Sequence, residues 1–204
     1  MRLSKIFTFT MLLALHTPAM LSAADLTAQL PTRLADVKAG NRPLELQGTV
    51  VALQTIAPDF KVADASFKAT RLSDFAGKTV LISVVPSLDT GVCSIQTKKF
   101  NEQVTNLPAD VVLLTISTDL PFAQKRFCQQ EQVDKLLVLS DAVWGDFGSS
   151  YGLRIKDMGI LTRAVLIIDR SGKLVYQQLV PVLSQEPDYT DALTTLKQYA
   201  LKKS

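Results

Sequence analysis

Histidine is almost absent from this sequence. One imidazole, His16, occurs in 204 residues, and it lies in a leader that we expect to be removed from the mature chain. Without it, Ser-His and Cys-His catalysis have no base, and zinc or copper sites built on histidine have no ligands. Thiols, hydroxyls, carboxylates and cationic side chains are left to carry any chemistry.

The start of the chain has the layout of a secretory signal peptide. Arg2 and Lys5 precede an apolar run over 6–15, and the small residues of "LSAAD" follow, with a cleavage site after Ala23 or Ala24. The run is shorter than the roughly 20 apolar residues of a membrane-spanning helix. An uncleaved anchor is the alternative reading. We expect an exported protein of the periplasm.

Strong charge is also lacking. Without Arg2 and Lys5, 20 basic residues face 19 acidic ones, a net charge of +1, which argues against a nucleic-acid partner. About 180 residues with ordinary apolar content suffice for one domain. We predict a signal peptide at 1–24, a short lead-in at 25–36 and one domain at 37–204, with no membrane contact after cleavage.

Cysteine is scarce, with only Cys93 and Cys128. An exported chain permits a disulfide, and a bridge between them would stabilise the fold by roughly 4 kcal/mol in the chain-entropy model. A domain of this size rarely needs such a bridge, and a disulfide requires Cα atoms within about 7 Å of each other. The pair is either a structural staple or a redox centre.

Apolar runs typical of buried strands alternate with helical segments along the chain. An N-terminal β-hairpin is expected within 37–48, and "DRSG" can turn a second hairpin near the C-terminus. Residues 60–78 suggest a strand, a turn and a short helix around 72–75. The further predicted strands are 79–85, 111–117, 136–140, 163–169 and 173–180, and the longer predicted helices begin near Thr90, Pro121 and Asp188. The pattern predicts an α/β fold, a mixed central sheet flanked by helices, which resembles the thioredoxin-like arrangement.

Cys93 stands where a strand ends and a helix begins. Asp89 and Thr90 are both plausible N-caps, which puts Cys93 in the first turn of the helix. The unpaired N–H groups and the positive dipole end of that turn favour a thiolate. Helix N-termini and nearby cations bring cysteine pKa values from about 8.5 to roughly 3.5–7.5. The position therefore suits a reactive thiol.

Four segments resemble a known family. Pro86-x-x-x-Thr90-x-x-Cys93 is similar to the peroxidatic motif of the peroxiredoxins. "DLPFAQKRFC" with Cys128, "RAVLIID" with Arg163, and "EPDY" resemble the bacterial thiol peroxidases, the atypical two-cysteine subfamily. The resemblance runs from about residue 37 to the C-terminus, and it implies a thioredoxin-like peroxiredoxin fold.

The resemblance also implies a role for each motif residue. Cys93 would attack the terminal peroxide oxygen and become a sulfenic acid, and Cys128 would resolve it as an intramolecular Cys93–Cys128 disulfide. The Thr90 hydroxyl would hydrogen-bond the thiolate and the peroxide. Arg163 would stabilise the thiolate and the leaving oxygen, and Pro86 would shield the pocket.

The partners implied are a hydroperoxide, thioredoxin or another dithiol reductant, and a second copy of the chain in a homodimer; no cofactor or metal is implied. An exported enzyme meets a different electron supply, so the reductant stays open. The apolar residues Val85, Leu88, Val92 and Phe122 around the motif favour an organic hydroperoxide.

Each role has a structural alternative: Thr90 as a helix cap, Pro86 as a strand end, and Arg163 as a solvated strand end. A thioredoxin-type oxidoreductase would need a Cys-x-x-Cys motif, but Gln96 stands where the second cysteine of that motif would be. The remaining alternative is an exported, disulfide-stapled binding domain that keeps the fold without peroxidase activity.

Overall fold

The computed structural model describes residues 30–201. The expected signal peptide and most of the expected lead-in lie outside the described residues. Within 30–201, no helix combines the length and apolarity needed to cross a membrane.

A seven-stranded mixed sheet forms the centre of the fold, in the order β10-β9-β5-β6-β7-β3-β4. All six residues of β5 are buried, as expected of a strand covered on both faces. It pairs in parallel with β6 and antiparallel with β9. The strands are β3 (Lys61–Ala63), β4 (Ala69–Arg71), β5 (Thr79–Val84), β6 (Val111–Ser117), β7 (Leu137–Ser140), β9 (Ala164–Ile168) and β10 (Leu174–Leu179).

A separate three-stranded sheet is built from β1 (Thr32–Ala39), β2 (Arg42–Gln47) and β8 (Arg154–Ile155). The predicted N-terminal hairpin is its β1–β2 pair, turned at Gly40 with a φ of 60°. Strand β1 begins inside the segment predicted as a lead-in. The hairpin therefore starts several residues earlier than the sequence pattern indicates.

Within residues 30–201, four α-helices cover the sheet: α1 (Gly91–Gln103), α2 (Pro121–Glu131), α3 (Asp146–Ser150) and α4 (Tyr189–Leu201). Short 3₁₀ turns lie at Leu72–Phe75 and Val104–Asn106. One hydrophobic cluster joins α1, α2 and α4 to one face of the sheet through Phe100, Phe127 and Leu196. The other face packs against Phe60 and α3. Both cysteine-bearing helices thus share one layer.

The predicted strands, both hairpins and the three longer helices are confirmed, with ends that differ by a few residues. Three elements were missed: β4, β8 and α3, which are three, two and five residues long. Segments so short carry no period that a sequence reading can detect. They form because tertiary contacts hold them.

Asp141, directly after β7, caps α3 from the protein interior. Its carboxylate accepts the N–H groups of Phe147 and Gly148, both at 2.9 Å, and the residue is 1% exposed. Burial raises the pKa of Asp141 from 3.8 to about 6, against the opposing effect of these two hydrogen bonds. The folded state therefore retains a proton between about pH 4 and 6 that the unfolded chain has released.

A raised carboxyl pKa means that stability falls as pH rises through this window. Acidification from pH 7 to pH 5 should therefore increase the free energy of unfolding of the wild type by about 1 kcal/mol relative to Asp141→Asn. Urea unfolding of both proteins at the two pH values measures the difference. Equal pH dependence in the two proteins would contradict the prediction.

Candidate active site

Cys93 is placed by the end of β5. The strand leads into residues 86–90, which we call the motif loop, and α1 begins directly afterwards. Cys93 is the third residue of α1, within the first turn, as predicted. Both Cys93 and Pro86 are buried. The sulfur therefore lies at a helix N-terminus in a site shielded from bulk water.

Arg163 reaches this sulfur from the neighbouring strand. The residue immediately precedes β9, and the register Val84↔Ala164 places it level with the chain that leaves β5. Its Nη2 donates a hydrogen bond to Cys93 Sγ at 3.3 Å. Arg163 is 1% exposed, so the alternative of a solvated strand end does not describe it. A guanidinium at this distance stabilises a thiolate and any negative charge that develops beside it.

Neutral groups hold the Arg163 side chain in place. Its Nη1 donates to Gln96 Oε1 at 2.6 Å, and its Nε and Nη2 donate to the Leu183 carbonyl at 3.0 and 2.8 Å. Gln96 Nε2 in turn donates to Ser83 Oγ at 2.8 Å. These hydrogen-bond partners carry no charge, so they orient the guanidinium without pairing with it, and the Glu186 carboxylate acts on Arg163 only through space. The positive charge remains directed at the sulfur.

Thr90 occupies the N-cap position of α1, but its side chain makes no capping hydrogen bond. Its hydroxyl donates to the Ser87 carbonyl at 3.1 Å, and the residue is exposed. The Thr90 side chain therefore forms its hydrogen bond within the motif loop and does not cap the helix. Its predicted contact with peroxide stays a prediction.

Cys128 lies apart from this group on α2. Both cysteines are free thiols, and Cys128 is half-buried against the same hydrophobic cluster that contains Cys93. It lines a surface cavity of about 330 Å³ together with Lys125, Gln129 and Val133. Burial raises the pKa of the Cys128 thiol. The structure thus contains one buried thiol facing a cation and one accessible thiol that favours its protonated form.

Sequence reasoning missed Gln96 as a member of the site. In the sequence it stands out only as the residue that excludes a Cys-x-x-Cys pattern. One turn after Cys93, it lies on the same face of α1 and is fully buried. A polar residue at i+3 from the expected nucleophile was the available signal. In the part of the chain that the structure describes, no group of three or more His, Cys, Asp or Glu side chains could hold a metal ion.

Replacement of Gln96 by methionine should slow the reaction of Cys93 with peroxide by roughly tenfold, because Arg163 loses a charge-assisted hydrogen bond. Gln96→Glu keeps an acceptor but places a negative charge against the guanidinium, so it should also slow the reaction, because less positive charge then acts on the sulfur. Gln103→Met, on the half-exposed part of the same helix, is the matched control. Stopped-flow measurement of Cys93 oxidation makes the comparison. Equal rates for the Gln96→Met and Gln103→Met variants would rule out the positioning role.

Comparisons with known proteins identify the family of this chain. The family model Redoxin matches residues 53–193. The chain is 43% identical to the thiol peroxidase of Oceanobacillus iheyensis over 165 residues, which cover 81% of this chain and all of the relative. It is also 43% identical to a thiol peroxidase of Staphylococcus aureus over 155 residues, 76% of this chain and 93% of the relative.

Solved structures give the same picture. A peroxiredoxin-like protein from Aquifex aeolicus superposes with a TM-score of 0.76 at 36% identity, covering 81% of this chain and 98% of its own. A thiol peroxidase from Chromobacterium violaceum superposes with a TM-score of 0.70, covering 79% and 94% of the two chains. At 20% identity, the second likeness concerns the fold alone.

Together with the thiol and guanidinium at the head of α1, these likenesses define a peroxiredoxin-type peroxidase, an oxidoreductase on an α/β thioredoxin-like fold. Such an enzyme takes a peroxide as substrate and a thiol as reductant. The chain belongs to the Redoxin family, within which its relatives make it a bacterial thiol peroxidase.

Proposed function

We propose that the enzyme reduces hydroperoxides by a two-cysteine cycle that begins at Cys93. The observation that carries this proposal is the 3.3 Å hydrogen bond from Arg163 Nη2 to the buried Cys93 sulfur. In the first step the Cys93 thiolate attacks the terminal oxygen of the hydroperoxide. An S–O bond forms, the O–O bond breaks, and the leaving alkoxide or hydroxide takes up a proton. Arg163 stabilises the charge on that leaving oxygen.

Cys128 completes the cycle in the proposal. Its thiolate attacks the sulfur of the Cys93 sulfenic acid, an S–S bond forms, and hydroxide leaves as water after protonation. An external dithiol then supplies two electrons and two protons to restore both thiols. The two thiols are unbonded and Cys93 is fully buried, so in this proposal the first turn of α1 or the C-terminal part of α2 moves to expose Cys93 to Cys128.

Formation of the disulfide should accelerate with pH. Burial raises the pKa of the Cys128 thiol, so the attacking thiolate is a minor form at neutral pH. Below that pKa, each pH unit should increase the resolving rate by about tenfold. The step is measured by running the reaction at pH values from about 6.5 to about 8.5, stopping it with acid and recording the intact mass. A flat profile would contradict attack by Cys128.

The preferred substrate in this proposal is an organic hydroperoxide. Val85 and Leu88 are buried beside the motif, Val92 is half-buried, and Phe122, in the first turn of α2, is 67% exposed and packs against Phe67. Turnover of cumene hydroperoxide should exceed that of hydrogen peroxide. Equal turnover of the two would count against this preference.

We propose thioredoxin or a similar dithiol protein as the reductant of an exported, periplasmic homodimer. The two-electron reduction of a Cys93–Cys128 disulfide favours a dithiol over a monothiol. Peroxide consumption coupled to thioredoxin should continue past one equivalent, whereas consumption coupled to glutathione should stop there.

Sedimentation of the reduced protein tests the proposed dimer. The N-terminal sequence of the protein in a periplasmic extract tests the proposed cleavage after Ala23 or Ala24. Nothing in the comparisons supports the alternative of an inactive, disulfide-stapled binding domain.

A further inference from the structure

A second polar network lies beside the site, centred on the Asp119 carboxylate. Asp119 Oδ1 accepts the Ser87 hydroxyl at 2.7 Å, and Oδ2 accepts the Leu88 N–H at 2.7 Å. Oδ2 also accepts the Ser117 hydroxyl at 2.7 Å. Ser87 and Leu88 belong to the motif loop, between Pro86 and Thr90. One carboxylate therefore makes two short, charge-assisted hydrogen bonds to the loop that carries the peroxidatic motif.

Asp119 is itself firmly held. Its carbonyl accepts the Ser140 hydroxyl at 2.6 Å, at the end of β7. The buried Gln124 side chain, in the first turn of α2, donates to Ser117 Oγ at 3.0 Å and to the Leu139 carbonyl at 2.8 Å. The carboxylate is thus anchored to the ends of β6 and β7 and to α2. Through this anchor, the loop before Cys93 is joined to the start of the helix that bears Cys128.

We infer that Asp119 is a positioning residue that restrains the motif loop in its peroxide-reactive arrangement and must release it for the disulfide to form. The inference rests on the proposed two-cysteine cycle. Movement of the first turn of α1 toward α2 pulls on residues 86–90, and the hydrogen bonds from Ser87 and Leu88 to Asp119 oppose that movement. The carboxylate therefore stabilises the reduced site and disfavours the rearranged one.

The two chemical steps should respond in opposite directions when this carboxylate is altered. Loss of the loop restraint disorders the pocket around Cys93, so oxidation by peroxide slows. The same loss lowers the barrier to rearrangement, so disulfide formation accelerates. A hydrogen bond to a charged group is worth roughly a tenfold to hundredfold change in rate. A residue that merely supports the fold would not separate the two steps in this way.

The test compares Asp119→Asn with Asp169→Asn as the matched control. Asp169 Oδ1 likewise accepts a serine hydroxyl and backbone N–H groups, from Ser171 and Lys173, in the β9–β10 turn. The asparagine at 119 presents an NH₂ group to one of the donors and cannot accept from all three. Ser87→Ala, which removes a single hydrogen bond, gives the same comparison with a milder change.

Oxidation is measured by stopped flow in the Cys128→Ser background, and resolution by acid quench and intact mass with Cys128 present. We expect oxidation to be about tenfold slower and resolution several-fold faster in Asp119→Asn, with a smaller change of the same signs in Ser87→Ala. Asp169→Asn should match the parent protein in both steps. Unchanged rates, or equal slowing of both steps, would overturn the inference.

Hydrogen exchange gives a readout that does not depend on turnover. The Leu88 amide should exchange about tenfold faster in Asp119→Asn than in Asp169→Asn, because its acceptor is weakened. If the wild type forms no disulfide, the proposed cycle fails, but Leu88 exchange and the oxidation rate still decide whether Asp119 holds the loop. Unchanged Leu88 exchange would overturn that role separately.

Discussion

Replacement of Cys93 by serine should reduce the rate of peroxide consumption by about 10⁴-fold or more. Serine preserves the shape of the side chain within the first turn of α1, and Arg163 can still donate to its oxygen. A hydroxyl, however, is scarcely ionised at neutral pH, so the nucleophile that attacks the O–O bond is missing. The loss should therefore be chemical, with little change in the free energy of unfolding.

Cys128→Ser is the matched control for this prediction. That variant keeps the peroxidatic thiol and should consume one equivalent of hydroperoxide at the wild-type rate, after which Cys93 remains as a sulfenic or more highly oxidised acid. Stopped-flow and intact-mass measurements separate the two variants. Fast consumption of peroxide by Cys93→Ser would show that the reacting thiol lies elsewhere.

Arg163→Met should slow the oxidation of Cys93 by about 10²–10³-fold, the usual effect of removing a preorganised donor from a developing negative charge. Arg163 donates directly to the sulfur at 3.3 Å and is almost fully buried. Methionine fills much of the same volume but provides neither charge nor donors. Arg163→Lys keeps the charge but cannot reproduce the forked geometry, so an intermediate rate is expected.

The same substitution at Arg71 provides the control. Arg71 is an exposed residue at the end of β4, where it pairs with Asp59. Arg71→Met should react at the wild-type rate. Arg163→Met also leaves the Leu183 carbonyl and Gln96 Oε1 without a donor, which should lower stability by about 1–3 kcal/mol for each group left unsatisfied. Oxidation is therefore compared at a temperature where both variants are folded. A rate within threefold of wild type, or about 0.6 kcal/mol, would contradict the role of Arg163.

Much of the fold could be predicted because its central strands are mostly apolar. Strand β6 agrees with the predicted 111–117 at both ends, and its neighbour β5 differs by one residue. The short elements could not be predicted, since β8 is two residues long and depends on pairing with Leu46 and Gln47, more than 100 positions away. The β1–β2 hairpin extends farther toward the N-terminus because pairing reaches Thr32↔Gln47.

The residues of the site likewise differ in whether the sequence predicts them. Cys93 in a first helical turn follows from local signals, and Arg163 was proposed from a motif resemblance. For Gln96 the sequence offers only its i+3 spacing from Cys93, and for Asp119 it offers no signal, because their contacts depend on how distant elements align. Arg163 is 67 positions from Gln96, and Asp119 is 32 positions from Ser87. The β5–β9 register brings Arg163 to the start of α1, and the parallel β5–β6 register brings Asp119 to the motif loop.

The most direct test of the two-cysteine cycle is the intact mass of the reduced protein after one equivalent of hydroperoxide. The account predicts that the wild type loses two hydrogens within seconds and that peptide mapping finds Cys93 joined to Cys128. Addition of oxygen without a disulfide, or oxidation of Cys93 no faster than that of a free thiol, would contradict it.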